Sequence, residues 1–152
     1  MKLAEALVLR ADVQKRIEQL RSRLRQSALV QEGEQPPENP LTLLDEMAEL
    51  LTQLEGLIVR INRTNMQVAL ADGTNLTAAL AQRDVLDTRI SLIDTLAETA
   101  ANRVERYGRS EIKKIATVDV AALRQQIASL ARQRRELDTT IQATNWTVDL
   151  ID

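Results

Sequence analysis

Apolar residues recur along this chain at alternating spacings of three and four, the seam of a helix that packs against neighbouring helices. Leu3, Ala6, Arg10, Val13, Ile17, Leu20 and Leu24 form the first seam and predict a helix to about Val30. Leu44, Met47, Leu51, Leu54, Ile58, Ile61, Asn65 and Val68 form the second, which ends near Leu70, where Asp72-Gly73 supplies a turn. The third opens at Thr74 or Asn75, either able to cap it, and carries Leu76, Ala79, Arg83, Leu86, Ile90, Ile93, Ala97, Ala100 and Val104. Asp119 is a fitting N-cap for the fourth, through Val120, Leu123, Ile127, Leu130, Arg134, Leu137 and Ile141 to about Thr144.

Two stretches break the pattern. Residues 31–40 contain all three prolines and form a semi-rigid connector that cannot continue a helix. Residues 107–118 begin with Tyr107-Gly108 and pass into the β-branched run from Ile112 to Val118, which predicts a short strand or hairpin. The expected architecture is all-α: one domain over 1–152, an antiparallel bundle of four long helices with a short β insert between helices 3 and 4. The competing arrangement is two helical hairpins completed by another subunit. A lone strand has unpaired backbone on both sides, so pairing with a copy of itself predicts a homo-oligomer.

Composition narrows the chemistry. The 152 residues have the length of one ordinary domain, and the apolar set is aliphatic, with one Trp, one Tyr and no Phe. A net charge of −2 gives no global attraction to nucleic acid or to an anionic membrane. Cysteine and histidine are both absent, which removes disulfides, thiolate chemistry, the commonest metal ligands and the usual near-neutral base. The expectation is a protein without cofactor or metal, and not an enzyme. The run Ala6-Leu7-Val8-Leu9 is too short for a signal or membrane segment before Arg10 and Asp12 end it, so a cytoplasmic location is expected.

Each seam contains one strongly polar residue: Arg10, Asn65, Arg83 and Arg134. If the helices alternate up and down, a rise of about 1.5 Å per residue puts these roughly 13, 8, 12 and 16 Å from one end of the bundle. They would form a single polar layer. Buried guanidinium groups require carboxylates, an anion or water. Asp87 and Asp138, four residues after Arg83 and Arg134, are candidate partners, with Asp12 and Asp84 near the same level. Paired internally, the layer fixes helix register or subunit pairing. Left open to a cavity, Arg10, Arg83 and Arg134 would bind a small anionic or nucleotide-like ligand, helped by Arg60, Asn62, Arg63 and Asn65.

Other clusters carry less. Lys15, Arg16, Arg21, Arg23 and Arg25 make the first helix basic, but no interleaved aromatics support base stacking, and nucleic acid is not the expected partner. Lys113 and Lys114 suit edge protection on the expected strand. Trp146 reads as an anchor for the C-terminal segment. There is no phosphate loop, nucleophile elbow or metal-ligand spacing.

The stretches from Glu5 to Ile17, Arg60 to Asn65, Leu76 to Asp84 and Ile141 to Trp146 together resemble a bacterial helical family often labelled septicolysin, across nearly the whole chain. The resemblance implies a helical, self-associating protein and places family motifs at Arg10, Asp12, Arg60, Asn62, Arg63, Asn65, Arg83, Asp84, Asn145 and Trp146. The label itself implies a pore-forming cytolysin. That activity is not carried over, because the chain has no long membrane-competent apolar stretch. The reading is therefore a self-associating structural or scaffold protein, with an anion-binding protein as the alternative.

Overall fold

Helices occupy all four predicted seams: α1 Leu3–Ser27, α2 Pro40–Gln67, α3 Leu76–Ala101 and α4 Val120–Thr147. A computed structural model describes residues 1–102 and 114–152. The described chain divides into two compact units, Met1–Ala69 with Gln142–Asp152, and Leu70–Ile141. In each, two long helices run antiparallel.

In the first unit α1 buries Leu3, Ala6, Val13 and Leu20, and keeps Arg10, Ile17 and Leu24 half-buried, along the predicted seam. Glu5, in the first turn, accepts the Lys2 backbone N–H at 2.7 Å, where a carboxylate also suits the positive end of the helix. The helix stops at Ser27, three residues short of the predicted Val30. Asn39 caps α2 by accepting the Leu41 N–H at 3.0 Å, and Pro40 takes the first helical position, where its missing N–H costs nothing.

The seam of α2 differs from the predicted one. Leu43, Leu50, Leu57, Ile61 and Thr64 are buried, whereas Leu44 and Leu51 are exposed at 52% and 49%. Met47, Leu54 and Val68 are half-buried, so the true seam alternates by four and three from Leu43 to Val68. Apolar residues fill both neighbouring columns of this helix, and spacing alone cannot choose between them. The face of α1 decides. One consequence is that Thr64, not Asn65, is the polar residue inside the seam.

The connector is held by Arg23. Its Nε donates to Glu38 Oε2 at 2.9 Å, a second nitrogen bonds the other Glu38 oxygen, and Nη1 lies 3.5 Å from Glu46 on α2. This hydrogen bonding holds the Glu38 carboxyl below its usual range and raises Arg23 in return.

At the other end of the unit, the segment after α4 zips against the start of α1. Lys2 and Asp149 form an antiparallel bridge; Leu3 N–H donates to Val148 O at 3.0 Å and Leu150 N–H to Met1 O at 2.9 Å. Lys2 Nζ reaches both Asp149 (3.0 Å) and the Thr147 carbonyl (2.9 Å). Thr64, fully inaccessible, completes the dock: its hydroxyl accepts the Ile151 N–H at 3.0 Å and donates to Arg60 O at 2.8 Å.

The second unit opens with the predicted turn. Gly73 has φ +86°, its N–H donates to Leu70 O at 3.0 Å, and Asp72 accepts the Thr74 N–H at 2.9 Å, which lowers the Asp72 carboxyl. Asn75 and Asp119 are the caps of α3 and α4, accepting from Ala78 N–H (2.8 Å) and Ala122 N–H (3.1 Å). The predicted seams hold, with Leu76, Ala79, Ala97, Leu130 and Ile141 buried, the last at the boundary of the unit. Leu86, Ile90, Ile93, Leu123 and Ile127 are only half-buried.

Of the short β element expected at 107–118, only its second half lies among the described residues. Residues 114–118 are irregular, and 103–113, with Tyr107, Gly108, Ile112 and Lys113, lie outside the described residues, as does Val104. α4 continues to Thr147, three residues beyond the predicted end, which places Trp146 in its last turn with the side chain 61% exposed. Trp146 is therefore no buried anchor for the 148–152 segment.

Thr64→Val keeps the side-chain shape but strands the Ile151 N–H, and should cost about 1 to 2 kcal/mol in chemical denaturation; an unchanged midpoint would mean the hydroxyl does not dock the segment. Glu38, held low, contributes fully above the ordinary carboxylate range and loses that contribution as pH falls through its lowered value. Glu38→Gln should thus lower the melting temperature at neutral pH, with the gap to the parent closing on acidification below the ordinary carboxylate range. A gap that stays constant across that range would contradict the clamp.

Candidate functional site

The arginines of the α3 and α4 seams are answered from within the second unit. Arg83 Nη1 lies 3.3 Å from Asp138 Oδ1 on α4, and its Nη2 lies 3.3 Å from Asp84 Oδ1. Arg134 meets Asp87 on α3 with two nitrogens, at 3.0 and 3.4 Å, and approaches Asp138 at 4.0 Å. Further along, Arg124 Nη1 reaches Asp94 Oδ1 at 2.6 Å. These contacts pair rising positions on α3 with falling positions on α4, which sets an antiparallel register.

Spacing along the chain singles out the right carboxylates in the wrong pairing. It matches Asp87 and Asp138 to the arginine four residues before each, yet the strong contacts cross between helices. A helical side chain leans toward its own N-terminus, and Arg83 and Arg134 find acceptors on the facing helix. The hydrogen bond from Arg134 to Asp87 raises the guanidinium further above its ordinary value.

The other predicted residues lie in the first unit or at its edge. Arg10 is half-buried on α1 and has no carboxylate partner among the described residues; Asp12 is exposed. Asn65 is half-buried, Asn145 is buried at 8% exposure, and Asn62, Arg63 and Trp146 are exposed. Arg10 and Asn65 thus belong to one unit and Arg83 and Arg134 to the other, where carboxylates of the same unit meet both arginines.

A second cluster forms at the end of α2. Arg60 Nη2 lies 2.5 Å from Asp152 Oδ1, Arg63 Nη1 donates to the Asp152 carbonyl, and Arg60 Nε is buried without an acceptor among the described residues. An open hollow of about 500 Å³ beside Arg63 is lined by Val59, Asn62, Arg63, Met66 and Gln67. Nothing in the sequence marks Thr64 or Asp152. A threonine between Arg63 and Asn65 in a polar stretch gives no burial signal, and Asp152 acquires a partner only when the chain folds back. Among the described residues no group of three carboxylates is placed to hold a metal ion, and no helix is long and apolar enough to cross a membrane.

Chemically, the α3–α4 ladder can fix register, and the cluster at the end of α2 can engage an oxyanion. Asp138 serves both seam arginines while Asp84 is largely exposed. Asp138→Asn should therefore destabilise by about 1 kcal/mol and Asp84→Asn by less than about 0.5 kcal/mol in urea melts. Equal losses would deny the ladder a structural role.

The crystal structure of a functionally unknown conserved protein from Corynebacterium diphtheriae is similar to this chain along its length, with TM-score 0.92, 42% sequence identity and coverage of 99% of each chain. Comparison with curated proteins gives no match. With that structural agreement, and a family match that runs unbroken over residues 10–150, the chain belongs to the family of unknown function designated DUF6847.

Proposed function

We propose that this protein is a self-associating helical scaffold, and that copies meet through the exposed apolar line on α2. The observation that carries this reading is the line itself: Leu41, Leu44, Ala48 and Leu51 follow one another by three, four and three, all exposed, with the leucines at 70%, 52% and 49%. No charged residue interrupts it, so an identical surface can cover it without stranding a buried charge. The line adjoins the seam already buried by α1, which makes the apolar face of α2 wider than one partner helix covers.

Burying a leucine fully is worth about 1.5 to 3 kcal/mol, so a few such side chains matched across a twofold axis contribute appreciably to association. The register ladder between α3 and α4 suits a structural role, since it satisfies seam arginines with the chain's own carboxylates. Arg21 and Arg23 of the basic first helix are likewise paired, with Glu18 and with Glu38 and Glu46.

Sedimentation velocity in the micromolar range tests the proposal. The parent should sediment as an oligomer, and the double substitution Leu44→Glu with Leu51→Glu should reduce it to monomer while leaving the helical circular dichroism unchanged. A monomeric parent, or an oligomer indifferent to the double substitution, would overturn it.

A further inference from the structure

The last two turns of α2 present more guanidinium than the carboxylate beside them engages. Asp152 Oδ1 lies 2.5 Å from Nη2 of Arg60. The neighbouring Nε of that guanidinium is buried and has no acceptor among the described residues. Arg63, three residues on, gives one N–H to the main-chain oxygen of Asp152.

A planar guanidinium binds an oxyanion best when two of its nitrogens donate in parallel to two oxygens. Asp152 achieves one such bond at Arg60. It is also weakly held, for its side chain is 95% exposed, and exposed ion pairs contribute little.

We propose that Arg60 and Arg63 form a binding site for an oxyanion, a carboxylate or a phosphate group, for which Asp152 of the same chain is the resident competitor. An incoming oxyanion that displaces the Asp152 carboxylate can accept from Nε and Nη2 of Arg60 together, which satisfies the stranded donor. Arg63 adds a second positive charge. The hollow beside it gives the body of the ligand a floor of Val59 and Met66 and an amide at Asn62. Displacement need not unfold the segment, because the Thr64 hydroxyl still holds Ile151 and Lys2 still holds Asp149. The site lies toward the opposite end of α2 from Leu41 and Leu44, so it is separable from self-association.

The test is a titration of the isotopically labelled full chain, following arginine Nε–H resonances by NMR at constant ionic strength. Inorganic phosphate and acetate are used in separate arms. The parent should show saturable shifts that include Arg60 Nε–H. Asp152→Asn should tighten binding about two- to fivefold for whichever anion is the true class, so the responding arm separates phosphate from carboxylate. Arg60→Lys keeps the charge but loses the fork and should weaken binding about tenfold. Should that variant fail to fold by circular dichroism, Arg63→Gln at an exposed position provides the same arm. Affinity for both anions that is unmoved by Asp152→Asn, or binding by the arginine variants equal to the parent, would overturn the site.

Discussion

A helix with a single apolar stripe is stable in water only when that stripe is covered, and the helices of this protein answer that requirement mainly with aliphatic side chains. Leu3, Val13 and Leu20 on α1 and Leu43, Leu50, Leu57 and Ile61 on α2 are buried because the two helices run antiparallel and share one seam. Two helices cover only part of what a wide stripe offers. The remainder of the α2 face stays exposed, and in the second unit several seam residues stay half-buried. The thinness of these hairpins links the fold to the proposed self-association.

Charge enters the same seams and is handled in two ways. Where an arginine faces another helix, a carboxylate waits there, as Asp138 does for Arg83 and Asp87 for Arg134. Such pairing compensates for lost hydration and makes one helical register better than its neighbours; the gain is in specificity more than in stability. Arg10 has no such partner among the described residues. Its half-buried position fits a long side chain that covers apolar surface with its stem while its head stays near water.

The end of α2 obeys a different logic. Thr64 is buried because it docks the 148–152 segment, and that docking brings Asp152 to Arg60 and Arg63. A structural hydrogen bond thereby places a weakly held carboxylate beside the two arginines proposed to bind an oxyanion. The proposed anion site thus sits not at the buried arginine layer that seam spacing suggests but at a surface cluster near the same Arg60–Asn65 motif.

Periodicity and local chemistry determined much of this protein from the sequence alone. The four helices, the caps at Asn75 and Asp119, the Asp72-Gly73 turn and three of the four seams follow from spacing and short-range hydrogen bonding, which depend on neighbours within a turn or two. The identities of Asp87 and Asp138 as partners were legible for the same reason. Tertiary structure decided the rest: which apolar column of α2 faces α1, which arginine each carboxylate serves, that Thr64 is buried and Asn65 is not, and that Asp152 returns to Arg60. Each of these depends on groups distant in sequence or on a facing helix, and a one-residue step around a helix turns a side chain by about 100°, enough to exchange burial for exposure while the spacing pattern stays the same.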